Sequence, residues 1–188
     1  MDVTGVVLAA GAGTRAGGPK ALRRTADGVA WLEIACSALR DAGCREVIVV
    51  LGAQADEAAA LVPPRALAVV ATDWHDGQAA SLRAGLAAAA TSASDAVLLT
   101  LVDLPEQNAA AGTRVIAAGA KDGREALARA NFDGNPGHPV LVGREHWRDI
   151  AAAAHGDAGA RDYLRMHLTV EVDCSDLGGG HDSDGPQH

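Results

Sequence analysis

The sequence predicts an α/β protein, a Rossmann-like three-layer αβα sandwich around a mostly parallel sheet, and three observations predict it. Short apolar runs alternate with helical patterns up to about residue 130. The runs lack polar alternation, the mark of strands buried on both faces, as parallel strands are. The main glycine-rich loop and the best-placed aspartate each follow such a run directly, where open parallel sheets bind ligands.

Val3–Ala9 is the first apolar run and opens into a glycine-rich loop at 10–19. Residues 31–42 read as a helix, with Trp31, Ile34, Ala35, Ala38 and Leu39 on one face and Gly43 as its stop. A buried strand at 47–51 precedes a helix at 54–61 that Pro63 and Pro64 end. A strand at 67–71, a helix at 79–90 and a strand at 96–102 follow, the last leading straight into Asp103-Leu104-Pro105. A helix at 113–120 and a strand at 126–130 continue the alternation, which implies right-handed crossovers. Residues 131–138 are rich in Gly, Asn and Pro and predict a loop. Helices at 144–154 and 158–167 and a strand at 168–172 come next. Residues 178–188, polar and glycine-rich, predict an irregular tail on a single domain spanning 1–188.

The bulk numbers narrow the function classes. A chain of 188 residues, 48% hydrophobic and 21% charged, builds one soluble core. A net charge of −8 argues against nucleic acid or an anionic membrane as the main partner. Arg15, Lys20, Arg23 and Arg24 nevertheless crowd one loop, which suits a small anionic ligand as well as it suits a solvated surface. Cys36, Cys44 and Cys174 form no CxxC pair, and the first two read as small core residues. With no basic leader and no run of about eighteen apolar residues, the expected location is cytoplasmic.

The loop reads Leu8-Ala9-Ala10-Gly11-Ala12-Gly13-Thr14-Arg15-Ala16-Gly17-Gly18-Pro19-Lys20. Its small residues let backbone N–H groups surround phosphate oxygens, and Arg15 and Lys20 add charge. Gly11-x-Gly13-x-x-Ala16 formally matches a dinucleotide fingerprint, but Gly17-Gly18-Pro19 forbids the helix that must open there. The acidic residue expected after the second strand is replaced by Leu51-Gly52-Ala53. A P-loop needs Gly-Lys-Ser/Thr, and the chain has Pro19-Lys20-Ala21. A purely structural glycine loop is the remaining alternative.

This loop resembles the signature of the MobA-like nucleotidyltransferases, and the likeness extends along nearly the whole chain. Trp74-x-x-Gly77-x-x-x-Ser81-Leu82-x-x-Gly85, Val102-Asp103-Leu104-Pro105, Gly137-His138-Pro139-Val140-Leu141 and Gly156-Asp157-x-Gly159-Ala160-Arg161 are similar to the molybdenum cofactor cytidylyltransferases within it. Two departures stand out. A small Ala16-Gly17 occupies the place of a bulky residue, and the usual Asp-Ile-Asp-Thr-Pro-Glu-Asp ending is reduced to Asp182-Ser183-Asp184-Gly185-Pro186-Gln187.

The resemblance implies transfer of CMP from CTP to the phosphate of a pterin acceptor, with release of pyrophosphate. It implies Mg²⁺ (or Mn²⁺) on Asp103 and on Asp182 or Asp184, Lys20 on the β- and γ-phosphates and Arg15 on the leaving pyrophosphate. Leu8, Ala9, Ala10, Gly11, Gly13, Gly77 and Ser81 would contact the nucleotide, and His138 the acceptor. Ala10 stands where guanylyltransferase relatives carry glycine, and its methyl suits a pyrimidine better than guanine. A phosphate nucleophile is already ionised near neutral pH, so no side-chain nucleophile is needed. The structural alternative for Asp103 is a cap on a helix beginning near Glu106, Ser81 reads equally as part of a helix start, and Asp157 and Arg161 read as a helix start and a surface pair, not as catalytic residues. A guanylyltransferase, a transferase acting on a sugar- or polyol-phosphate, and a non-catalytic partner that delivers a cofactor to a molybdoenzyme are the alternatives.

Overall fold

A computed structural model describes residues 1–179 of the chain. Seven strands form one sheet: β1 (Val3–Ala9), β2 (Glu46–Leu51), β3 (Ala66–Val70), β4 (Ala96–Leu101), β5 (Leu127–Phe132), β6 (Asn135–Gly143) and β7 (Val170–Asp173). Their spatial order is β3-β2-β1-β4-β6-β5-β7, and every pairing is parallel except those of β6. Among the described residues six α-helices cover the sheet: α1 (Trp31–Asp41), α2 (Ala55–Ala59), α3 (Gln78–Ala89), α4 (Ala109–Gly119), α5 (Trp147–Ala153) and α6 (Arg161–Met166).

Alternation along each strand sorts the core into two layers. Val3, Val7, Val47, Val49, Leu98 and Leu141 pack on one face with α1, α2 and α4 residues such as Leu32, Ala58 and Val115. Val6, Ile48, Val50, Val97 and Val142 pack on the other with Leu82, Leu86, Ile150 and Leu164 of α3, α5 and α6. With only 3% aromatic residues, the core relies on close approach. At Gly85 of α3, a Cβ would lie 2.8 Å from a Val6 methyl and 3.2 Å from one of Val50, so the helix rests directly on β1 and β2.

The expected three-layer αβα sandwich is the observed one, with local corrections. Residues 131–138 are not a loop. Asp133 and Gly134, at φ 52° and 82°, form a two-residue hairpin turn, and β6 begins at Asn135. The positive φ at both turn positions matches the twist of the flanking strands. α4 starts at Ala109, four residues earlier than expected, because Asn108 Oδ1 accepts the Ala111 N–H at 3.2 Å and caps it. The expected helices at 144–154 and 158–167 are shorter, each preceded by a single tight turn. Gly43 does stop the first helix, at φ 106°. No helix among the described residues is long and apolar enough to cross a membrane.

Candidate functional site

β1 and β4 are neighbours, yet the chain leaves them to build opposite halves of the sheet. That change of direction opens a crevice at their carboxyl ends. Leu8 pairs with Leu101, so the loop after β1 and the turn after β4 emerge side by side. A cleft of about 560 Å³ lies there, lined by Leu8–Thr14, Ala16, Lys20, Trp74, His75, Gly77, Gln78, Ser81, Leu101–Asp103 and Asp157.

The loop keeps its shape through its own backbone. Gly13, at φ 57°, offers its carbonyl to the Ala16 and Gly18 N–H groups at 2.8 and 3.0 Å. A Cβ on Gly13 would lie 1.9 Å from the Gly18 oxygen, so no other residue fits. The anticipated basic cluster divides its duties. Arg23 donates to the Ala16 carbonyl and lies over the Trp31 ring at 5.4 Å, while Arg24 donates to the Gly28 carbonyl at 2.8 Å. Lys20 lines the cleft, and Arg15 belongs to the tight turn Thr14–Ala16.

Lys20 Nζ donates to Asp103 Oδ2 at 2.9 Å, across 83 residues of sequence, and both side chains are largely buried. Asp103 Oδ1 is buried without a hydrogen-bond partner. Such an atom carries a desolvation cost that a ligand would relieve. Asp103 is not the helix cap, a role that Asn108 takes. His138, half-buried at the start of the apolar part of β6, has its imidazole pushed down to about 4 by burial, with the nearby Asp103 charge opposing that shift. His138 does not line the cleft that holds Lys20 and Asp103; it lines a separate pocket with Asn108, Phe132 and Gly178.

Leu8, Ala9, Ala10, Gly11, Gly13, Gly77 and Ser81 all line the cleft. Ser81 is buried in the first turns of α3. Ala10 is 2% exposed, and its methyl lies where a side chain on Gly52 would go. Asp182 and Asp184 lie outside the described residues. Among those residues, no group of three or more His, Cys, Asp or Glu gathers to hold a metal.

Trp74, His75, Gln78 and Asp157 are cleft residues that motif reading assigned no role in ligand contact. Trp74 sits in the resemblance stretch ending at Gly85, which was the available signal. Asp157 does stabilise a helix start, but that of α3, where its Oδ1 accepts the Gln78 N–H at 3.4 Å. No local pattern announces a contact spanning 79 residues. Arg161 pairs with its neighbour Asp162 at the surface, at 3.7 Å.

A parallel-sheet crevice with a glycine-rich anion loop, one lysine and one underemployed aspartate defines the nucleotidyltransferase class of α/β protein. The chain belongs to the MobA-like NTP transferase domain family, whose model matches residues 5–172. It is 38% identical over 192 residues to nicotine blue oxidoreductase of Paenarthrobacter nicotinovorans, a match covering 97% of this chain and 92% of that protein. Among solved structures it is similar to Rv0371c from Mycobacterium tuberculosis H37Rv, at 28% identity and TM-score 0.81, over 98% of this chain and 94% of that one. Rv0371c has also been solved in complex with manganese, with TM-score 0.75 and 28% identity over 92% and 88% of the two chains. The 2-C-methyl-D-erythritol 4-phosphate cytidylyltransferase of Thermus thermophilus shares the fold, at 19% identity and TM-score 0.69 over 100% and 95%.

Proposed function

We propose that this protein transfers CMP from CTP to the phosphate of a phosphorylated pterin acceptor, releasing pyrophosphate. The observation that carries the reading is the Lys20–Asp103 pair, with Asp103 Oδ1 buried and unpartnered beside the glycine loop. A divalent cation fits that oxygen, because Mg²⁺ and Mn²⁺ take carboxylate ligands and Mg²⁺ commonly uses one or two of them with phosphate and water. When bound, the cation would supply charge neutralisation for the triphosphate. The manganese complex of Rv0371c supports the use of a divalent cation.

The chain's own residues would do the rest. Backbone N–H groups of the loop, from Gly11 to Thr14, bind phosphate oxygens. Lys20 turns from Asp103 toward the β- and γ-phosphates, and Arg15 accompanies the leaving pyrophosphate. An acceptor phosphate oxygen forms the new bond to the α-phosphorus while the bond to the β-bridging oxygen breaks, its electrons leaving with pyrophosphate. His138, neutral near pH 7, positions the acceptor beside Asp103. Asp182 is the proposed second carboxylate.

The test follows pyrophosphate release from CTP, GTP, UTP and ATP with a phosphorylated pterin and Mg²⁺. Preference for CTP, with at least about a hundredfold loss in Asp103→Ala and Lys20→Ala, is the expected outcome. Turnover with GTP would point to the guanylyl alternative and overturn the reading of Ala10. Tight pterin binding without turnover would favour a delivery partner.

The relative named nicotine blue oxidoreductase favours a second reading, an oxidoreductase, for which a nicotinamide dinucleotide would be the hydride donor. Against it, no α-helix opens within Gly11–Ala16, where the chain makes only the single tight turn Thr14–Ala16, and Gly52-Ala53 follow β2 without an acidic ribose ligand. Oxidation of NADH or NADPH by an aromatic dye, with no pyrophosphate release, would replace the first reading by the second.

A further inference from the structure

The cleft has two chemically different ends. Lys20 and the loop amides attract anions at one. At the other, the tight turn Gly156–Ala158 is pressed onto the start of α3. Gly77, at φ 103°, has no room for a side chain there: a Cβ would lie 2.6 Å from the Gly156 carbonyl carbon and 2.8 Å from Asp157 Oδ1. The turn therefore delivers Asp157 into the cleft at a fixed place. Its Oδ1 accepts the Gln78 N–H, and its Oδ2 has no hydrogen-bond partner among the described residues.

We propose that Asp157 reads the nucleobase, accepting an N–H from an amino-bearing base seated against Trp74 and so favouring cytosine over uracil. The proposal rests on nucleoside triphosphate binding from the reading above. Two observations place an uncharged, flat part of the ligand at this end. The Asp157 carboxylate already offsets the positive potential of the α3 N-terminus, so the end repels phosphate. Trp74, half-buried, lines the same cleft and offers aromatic surface for a base to stack on. Cytosine turns an amine toward a carboxylate, whereas uracil turns a carbonyl oxygen toward it and leaves both acceptors unsatisfied. The carboxylate is exposed, which limits the discrimination to about tenfold. Adenine and guanine also carry amines, so this contact selects amino from oxo bases and leaves base size to other parts of the cleft.

The experiment is calorimetric titration of the full chain with CTP and with UTP in the presence of Mg²⁺, for wild type, Asp157→Asn and Asp157→Ala. Asparagine retains an oxygen for the Gln78 N–H, so the turn stays docked, and it offers uracil a donor. Wild type is expected to bind CTP about tenfold more tightly than UTP. Asp157→Asn should bring the ratio within about twofold by weakening CTP and strengthening UTP, and Asp157→Ala should weaken CTP alone. Equal wild-type affinities, no nucleotide binding, or variants that weaken both nucleotides by one factor would overturn the proposal. Parallel pyrophosphate assays separate the two readings. An Asp157-dependent preference without turnover defeats the transfer reaction alone, and turnover with an unchanged preference defeats the role of Asp157 alone.

Discussion

At Gly13 the chemistry of the site is set by what a side chain would prevent. The loop curls until the Gly13 carbonyl meets two N–H groups, and the space a Cβ needs is filled by the Gly18 carbonyl. Gly13→Ala is expected to lower stability by about 1–3 kcal/mol in urea unfolding, since both the left-handed φ and the clash must be relieved. It should also abolish stabilisation by nucleotide, the readout that distinguishes a loop needed for ligand from one needed only for the fold. Residues of this kind were legible from sequence, because glycines, a lysine and an aspartate after buried strands have few other uses. Asp157 was legible only as the start of some helix. Which helix depends on a turn brought from 79 residues away.

The loop between β5 and β6 shows how an element is lost to composition. Gly, Asn and Pro at 131–138 suggest irregular chain, yet Asp133-Gly134 between apolar runs is a strong hairpin signal. The strand that follows runs antiparallel to β4 and carries His138 toward Asp103. The segment after β7 is held just as specifically. Arg114 of α4 donates to the Asp173 carbonyl at 2.7 Å and to both Asp176 oxygens at 2.6 and 3.0 Å, and Asn108 donates to the Leu177 carbonyl at 3.0 Å. These bonds tie Ser175–Leu177 to the segment that follows Asp103. Arg114→Ala should speed proteolytic cleavage within 173–179. The Arg114 hydrogen bond holds the Asp176 carboxyl below its ordinary 3.8. The pair therefore contributes fully above that value and is lost as pH falls further, so protection in wild type should be level from pH 5 to 8 and decline below about 4. On the other face, Gly85→Val should cost about 1–3 kcal/mol by forcing α3 off Val6 and Val50, measured by urea unfolding.

Across the whole molecule, ligand and stability are linked because the cleft exists only when β1, β4 and the C-terminal half are assembled. CTP with Mg²⁺ at about one hundred times its Kd should stabilise the fold by about 2.7 kcal/mol, raising Tm by roughly 5–10 °C for a chain of this size. Lys20→Ala should lose most of that rise, and stabilisation by NADH instead would support the second reading. The sequence by itself determined the layer architecture, since strands without polar alternation bury both faces and the intervening patterns supply the covering helices. It also marked the anion loop and Asp103, whose places follow from being next to strand ends. Only the tertiary structure decided that Lys20 meets Asp103, that His138 lies near it, and that Asp157 closes the far end of the cleft. The physical reason is range: backbone preferences act over a few residues, whereas these meetings depend on strand order and on a hairpin that reverses one strand.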